Sequence, residues 1–417
     1  MTTGHLSLVT TDQMQRPLKE AARIHSARLE GVRVALFSGA YDHIADGVSL
    51  TLNRLVAHLE GQGAHVRVFA PTVDRPALES PGELDPVPSF PMPGRGEYRI
   101  SLRLPSDQMA RLQSFQPDIV HLATPDLPGR QVLGWAKSRG IPVISTYHTH
   151  FTSYLSYYNL GWTERLVWQY LRRFYGRCDL TLVPSRSMAD VLEEHGISEG
   201  VRIWRRGVEL DRFHPDFRDL AWRRSLGISD EDVVVTLVSR LVLEKGLGVF
   251  ADTVNQVSAS GLRVKCLVVG EGPAREFLQE QLPEAVFLGH QTGEDLSRAY
   301  ASSDVFVFPS YTETFGNVTL EAMASGLPAV CADATGSRSL VVSGRTGFLA
   351  PPENVDVFAA HVERLVTDSR LRAEMSAAAR AEAARYAWPR VLDFAVGQYE
   401  ELLRDSRSDE LRLSLVD

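Results

Sequence analysis

The sequence predicts an α/β protein made of two doubly wound, parallel-sheet domains of the Rossmann-like kind, facing each other across a cleft. Three observations carry that expectation. From Val32 onward, short apolar runs alternate with helical patterns, the signature of βαβ units. The runs fall into two successive sets. The 417 residues exceed one ordinary core and suit two domains of about 180 residues each.

Taken in order, Val32–Ser38 reads as a first strand and Leu50–Gln62 as an amphipathic helix with Leu52, Leu55, Val56 and Leu59 on one face. Val66–Ala70 is a second strand, and Pro71–Gly96, rich in Pro and Gly, an irregular excursion. Ile119–Leu122 and Val143–Thr146 are further strands, with a helix near Gly129–Lys137 between them. The second set comprises Val233–Ser239, Val264–Val269, Val286–Leu288, Asp304–Phe308 and Ala329–Cys331. The junction falls near Trp204–Asp211. Trp388-Pro389 interrupts a helical pattern, because a proline inside such a pattern kinks or ends it. The expected organisation is an extension over 1–30, a first domain over 31–205, a second over 206–385, a terminal helix over 386–405 and a tail over 406–417.

Composition narrows the function. Hydrophobic residues make up 44% and charged residues 23% of the chain, a soluble globular balance that argues against disorder. No apolar run approaches the ~18 residues that span a bilayer, and the N-terminal stretch lacks an apolar signal core, so a cytoplasmic protein is expected. Cys178, Cys266 and Cys331 form no CxxC pair, which indicates neither a disulfide framework nor a cysteine-rich metal site. The formal charge of −8 is uneven: residues 1–212 carry 24 basic and 22 acidic side chains, residues 213–417 carry 20 and 30. No basic stripe with interleaved aromatics dominates either half, which argues against nucleic acid as the main partner. An acidic half that still places Arg240 and Lys245 at a strand end reserves those two cations for a specific anion.

The densest signal is Pro309–Ser325, PSYTETFGNVTLEAMAS, with Glu313 and Glu321 eight residues apart across a helix start. It follows an apolar strand, so the turn opens at a carboxyl edge, where open α/β sheets bind ligands. The N–H groups of Thr314, Phe315 and Gly316 are expected to face an anion that the helix dipole also favours. Glu321, roughly 12 Å further along at ~1.5 Å per residue, suits a sugar hydroxyl at the far end of a nucleotide. Arg240 and Lys245 can straddle a diphosphate whose charge grows as a sugar–phosphate bond breaks. Tyr147-His148-Thr149-His150 ends a first-domain strand. Two histidines two apart suggest a metal, but no third ligand recurs at a helpful spacing. Asp230-Glu231-Asp232 matches a DxD pattern yet precedes its strand, at the amino end, and is read as a solvated turn. Trp162–Arg177 mixes aromatics with Arg165, Arg172, Arg173 and Arg177. Such a helix can lie on an anionic membrane or pack with snorkelling arginines.

With these residues in view, the stretch from Glu313 to Glu321 resembles the EX7E motif of retaining glycosyltransferases of the GT-B fold, family 4. Ser239-Arg240-Leu241 with Glu244-Lys245-Gly246, Val269–Pro273, Gly207-Val208-Glu209 with Phe213, and Ser343–Phe348 match its other motifs in order, so the resemblance runs from about Gly31 to Leu403. It implies transfer of a hexose from a UDP- or GDP-sugar to an acceptor hydroxyl, forming an α-glycoside by attack on the face that the diphosphate leaves. It implies His148, Arg240, Lys245 and Glu313 as catalytic residues, with Gly47, Gly270, Thr314, Phe315, Gly316, Asn317 and Glu321 on the donor. Neither metal nor other cofactor is expected, since cations and helix amides neutralise the diphosphate. The first half is most similar to members that glycosylate diacylglycerol-type lipids, so the expected acceptor is a lipid, glycolipid or glycan, with peripheral contact at the inner face of the plasma membrane. In the late turn Gly336–Ser339 the acidic residue common in the family is missing, and Arg206 stands where many members have Asn. Two alternatives are a nucleotide-sugar 2-epimerase of similar fold and a non-catalytic nucleotide-sugar-binding protein.

Overall fold

A computed structural model describes residues 28–92, 95–147 and 163–414. Two parallel sheets organise the chain. The first has the order β3-β2-β1-β6-β7-β8-β9, built from β1 (Arg33–Phe37), β2 (His65–Ala70), β3 (Glu83–Pro86), β6 (Ile119–Leu122), β7 (Val143–Thr146), β8 (Leu180–Val183) and β9 (Val201–Ile203). The second has the order β12-β11-β10-β13-β14-β15, built from β10 (Val233–Val238), β11 (Val264–Val269), β12 (Val286–Gly289), β13 (Val305–Phe308), β14 (Ala329–Ala332) and β15 (Gly347–Ala350). All five neighbouring pairs of this second sheet run parallel. Strands β10, β13 and β14 are buried along their whole length, as expected where helices cover both faces of a parallel sheet.

The described residues group into two compact units. One takes the chain up to Thr146, Arg173–Thr181 and everything from Leu392 onward; the other takes Tyr147, the described part of the segment up to Arg172, and Leu182–Val391. The terminal helix joins the first unit by specific contacts. Its Tyr399 hydroxyl meets His121 Nδ1 of β6 at 2.5 Å, and Glu400 accepts from Arg28 Nε at 3.0 Å.

Several elements differ from the sequence reading. Pro71–Gly96 contains β3 and also β4 (Phe90–Met92), which pairs antiparallel with β5 (Arg95–Ile100). Strand β3, ELDP, carries no apolar pattern because its buried residue is Asp85, which is paired with Arg67 at 3.3 Å and Arg111 at 2.9 Å. Gly347 and Phe348, the end of the motif at Ser343–Phe348, are the first residues of strand β15. At Trp388-Pro389 the helical pattern is interrupted as expected: one helix ends at Ala383, a 3-10 turn covers Ala384–Tyr386, and a new helix begins at Trp388 with Pro389 in its first turn. The helices include α1 (Gly47–Gly61), α2 (Glu164–Tyr175), α3 (Leu247–Ala259), α4 (Asn317–Ala324) and α5 (Trp388–Ser414). A proline in the first turn gives up an N–H that has no intrahelical acceptor anyway. Helix α5 also continues past Leu403 to Ser414, through most of the expected tail.

Candidate functional site

In the second sheet the chain runs outward from β10 to β11 and β12, then returns to the other side of β10 as β13. Connections leave these two neighbours in opposite directions, which opens a crevice outside their carboxyl ends. After β10 come Ser239–Val242, a 3-10 turn over Leu243–Lys245, and Gly246, whose φ of 73° leads into α3. After β13 come Pro309–Gly316 and then α4. The two loops touch backbone to backbone: a Cβ on Gly246 would lie 2.9 Å from the Pro309 carbonyl oxygen.

That approach brings Lys245 to Glu313. The Lys245 ammonium donates to Glu313 Oε1, and the two side chains are only 20% and 22% exposed. Arg240 is exposed and makes no ion pair among the described residues. Its loop is held by backbone bonds, Ser239 N–H to Val269 O at 3.0 Å and Leu241 N–H to Glu271 O at 2.9 Å. A Cβ at Gly270, with φ at 137°, would fall 1.8 Å from the Ser239 carbonyl oxygen. The glycine therefore seats the Arg240 loop, with protein backbone against the face where a side chain would stand.

Gly316, at φ 95° and ψ 61°, is the N-cap of α4, and no side chain caps the helix. The N–H groups without intrahelical acceptors are thus those of Gly316, Asn317, Val318 and Thr319, two residues later than the sequence placed them. The reason is the left-handed turn at Gly316, which keeps Thr314 and Phe315 outside the helix. Those residues are fixed otherwise. Thr314 O accepts from Ser185 Oγ at 3.0 Å, Glu313 O accepts from Thr335 Oγ1 at 2.7 Å, and the buried Phe315 ring lies 6.0 Å from that of Tyr386. Helix α1 is the opposite case: its Asp46 cap accepts from Val48 N–H at 3.0 Å and Ser49 N–H at 2.8 Å, filling the turn that Gly47 begins. Gly47 belongs to the other unit, whereas Arg240, Lys245, Gly270, Glu313, Gly316, Asn317 and Glu321 share one.

Because α4 starts only at Asn317, the 12 Å separation expected for a continuous helix from Glu313 does not apply; Glu321 lies about 6 Å along the axis from Asn317 at ~1.5 Å per residue. Its carboxylate Oε2 accepts from the Tyr300 hydroxyl at 3.0 Å. Burial, first, and the charge of Glu321 push the Tyr300 phenol well above its ordinary value, so it stays a neutral donor. Sequence reasoning missed Tyr300, Ser185 and Thr335, which reach the site from separate segments with no local pattern. The one hint was chemical: a Tyr within an otherwise small-residue helix, DLSRAYASS.

Asp230 pairs with Arg224, Glu231 with Arg263, and Asp232 accepts from Ser229 N–H at 2.8 Å, so the DxD stretch is a turn whose carboxylates already have partners. No group of three His, Cys, Asp or Glu placed to hold a metal ion occurs among the described residues. Cys266 and Cys331 are buried. In α2, Trp168 is buried and stacks on His195 at 3.6 Å, and Phe174 and Tyr175 are buried too, while Arg165, Leu166, Arg172 and Arg173, and Arg177 just past the helix, are exposed. His148, His150, Tyr154, Tyr157, Tyr158 and Trp162 lie outside the described residues. Gly207 sits against Trp388, where a Cβ would meet the indole at 2.3 Å, and the adjacent Arg206 is buried.

Comparison with known proteins gives concordant results. The family described as Glycosyltransferase Family 4 matches residues 45–212, and Glycosyl transferases group 1 matches residues 219–382. A GDP-mannose-dependent alpha-mannosyltransferase of Mycobacterium tuberculosis is 36% identical over 89% of this chain and 97% of its own length. A sulfoquinovosyl transferase of Arabidopsis thaliana is 34% identical over 72% of this chain and 60% of its own length. Among solved structures, sucrose-phosphate synthase from Thermosynechococcus elongatus superposes with a TM-score of 0.72 at 21% identity, over 90% of this chain and 100% of that one. Anabaena HepE in complex with UDP gives 0.69 at 19%, over 89% and 100%. The architecture described above is the GT-B fold.

Proposed function

From the premise that this chain belongs to glycosyltransferase family 4, and so takes its sugar from a nucleotide sugar, we propose that it transfers mannose from GDP-mannose, with retention, to a hydroxyl of a lipid-type acceptor. The observation that carries this reading is the crevice at the β10/β13 switch point. There the loop after β10 carries Arg240 and Lys245, the neighbouring loop after β13 carries Glu313, paired with Lys245, and leads into the uncapped terminus of α4. In this reading Arg240, Lys245 and the first amides of α4 stabilise the departing diphosphate. Glu321 takes the ribose hydroxyls, Glu313 orients Lys245 and faces the sugar, and Asn317 lies beside the phosphates.

Retention is proposed as attack from the face that the diphosphate leaves. Glu313 is engaged by Lys245, which speaks against its serving as the free carboxylate nucleophile of a double displacement. The preference for GDP-mannose draws on relatives: proteins of Mycobacterium tuberculosis, Mycolicibacterium smegmatis and Corynebacterium glutamicum, all described as GDP-mannose-dependent alpha-mannosyltransferases, are 33–36% identical to it. A lipid acceptor draws on the sulfoquinovosyl transferase and on an alpha-monoglucosyldiacylglycerol synthase of Streptococcus pneumoniae, 29% identical over 72% of this chain, and on the arginine-rich exposed face of α2. No described helix is long and apolar enough to cross a membrane, and contact through that face at the inner leaflet is the proposed mode of access.

The test is thermal shift with guanosine and uridine diphosphates followed by turnover of GDP-mannose. A preferred nucleotide stabilises by mass action. Stabilisation by the guanosine form, an α-configured product by NMR and undiminished turnover in EDTA support the proposal. A uridine preference would replace the donor assignment, and an inverted product would end the retaining one. Neutralising Arg165, Arg172, Arg173 and Arg177 should abolish sedimentation with anionic vesicles, at about 1 kcal/mol per arginine; unchanged sedimentation would remove the membrane contact from the reading.

A further inference from the structure

We infer that the cavity between the helix Arg186–Glu194, which follows β8, and the turn Gly336–Ser339 is a second oxyanion site, built for a phosphoryl group and separate from the crevice between β10 and β13. Its volume is about 290 Å³, and three arginines, Arg186, Arg205 and Arg338, line it beside one acid, Asp190. All four belong to the unit that holds the donor crevice. Among the described residues on its walls, Phe315 is the one also expected at the donor; Arg240 and Lys245 are not there.

The three guanidiniums differ in how they are engaged. Arg205 is exposed and has no carboxylate partner among the described residues. Its guanidinium lies 5.3 Å from the centroid of the Tyr386 ring, a contact with the ring face that steadies the charge without taking up its N–H groups. Arg338 gives Nε to the Asp333 carboxylate at 2.6 Å and Nη2 to the Asp333 carbonyl at 3.2 Å, which orients the group and leaves Nη1 outside both bonds. Arg186 pairs with Asp190 at 3.3 Å, but those side chains are 76% and 53% exposed, and so exposed a pair opens at little cost. A planar fork bonds two oxygens of one phosphate at once, and such charge-assisted bonds are about twice as strong as neutral ones. The walls between the arginines are tied together. Ser185 Oγ donates to the Thr314 carbonyl at 3.0 Å. Ser187 Oγ donates to the Thr335 carbonyl and lies 3.0 Å from Ser339 Oγ. Small-molecule sites start at about 300 Å³, so this cavity suits phosphate itself or the head of a phosphate ester rather than a whole nucleotide sugar. The same chemistry serves a free phosphate ester and the headgroup of a lipid.

The experiment is isothermal titration of inorganic phosphate and of glycerol 3-phosphate into wild type, Arg205→Ala/Arg338→Ala and Asp190→Asn, each repeated with Arg240→Ala added to disable the donor crevice. Wild type and Arg240→Ala should bind both ligands. The double arginine variant should bind at least about ten-fold more weakly, and Asp190→Asn, which frees Arg186, about three-fold more tightly. A gain of affinity is not what damage to the fold produces, so this variant decides the matter even if the double one fails to fold. No binding to wild type, loss in Arg240→Ala with none in the double variant, or an Asp190→Asn protein that binds no tighter would each overturn the site. Dioctanoyl phosphatidic acid, kept below the concentration at which it forms micelles, identifies the source. Tighter binding than glycerol 3-phosphate, again lost in the double variant, assigns a lipid headgroup; equal or weaker binding assigns a free phosphate ester.

Discussion

The Lys245 ammonium and the Glu313 carboxylate form an ion pair that ties the loop after β10 to the loop after β13. It bridges the only neighbouring strands of that sheet whose connections diverge. Both groups are mostly shielded, so removing either leaves the other partly buried without its counter-charge. Lys245→Ala and Glu313→Ala should each lower kcat by about 100-fold or more. Because the two act as one unit, the double variant should be close to the worse single variant rather than the product of the two. Additive losses in a double-mutant cycle would show that they work independently.

Arg240 differs from Lys245 in having no ion-pair partner among the described residues, so its charge is available to a ligand. Arg240→Ala should reduce turnover by roughly 100-fold and weaken nucleoside diphosphate more than nucleoside, because only the phosphates meet it. Arg240→Lys should recover part of the binding but less of the turnover, since the planar fork is lost. Isothermal titration with the nucleoside and its diphosphate separates these outcomes, and equal losses for both ligands would place Arg240 away from the phosphates.

Much of this architecture is legible in the residues, for a physical reason. Strands with helices on both faces are rich in apolar residues, and Val264–Val269, Ile119–Leu122 and Val143–Thr146 are bounded in the sequence as the structure has them. What escaped was set by long-range packing. Strand β3 is stabilised by a buried aspartate, paired with Arg67 and Arg111, that no hydropathy pattern reveals. In the site, charged residues and glycines after strands gave Arg240, Lys245 and Glu313 a common location, because a strand end fixes where the next residues point. The helix start could not be placed to within two residues, as it depends on the left-handed turn at Gly316. Tyr300 leaves no more than a chemical hint, since its contact with Glu321 spans 21 residues of the chain.

Gly270 supplies a stability prediction at the same place. A methyl group there would fall 1.8 Å from the Ser239 carbonyl oxygen, at a φ of 137° that side chains rarely adopt. The overlap is with backbone, which cannot rotate away, so the β10 and β11 loops must separate. Gly270→Ala should cost about 2–3 kcal/mol and lower kcat as well, because the loop that moves carries Arg240. Gly134→Ala, in a helix interior where nothing lies within 4 Å, is the control and should leave turnover near wild type while keeping or slightly raising the melting temperature, since alanine suits a helix better than glycine. A melting temperature unchanged in Gly270→Ala would mean the loops can part freely.

Acid sensitivity should trace to the other unit, where His121 on β6 is wholly buried with its Nδ1 at 2.5 Å from the Tyr399 hydroxyl and its Nε2 at 3.3 Å from Thr146 Oγ1. Burial pushes the imidazole down from 6.5 to about 3, so the folded chain holds it neutral. The unfolded chain binds a proton there once the pH falls below 6.5, and the folded chain does not until about 3. The unfolded state therefore gains relative to the folded one across that interval, by up to about 1.4 kcal/mol per pH unit. Stability is complete above pH 6.5 and declines as the pH drops from there toward 3. His121→Asn keeps a polar group facing Tyr399 but cannot take up a proton. It should be less stable than wild type at pH 7.5, yet its urea midpoint should fall less between pH 7 and pH 5. Parallel slopes for the two proteins would assign the acid sensitivity to other groups, such as His58 and His43, whose imidazoles burial also lowers.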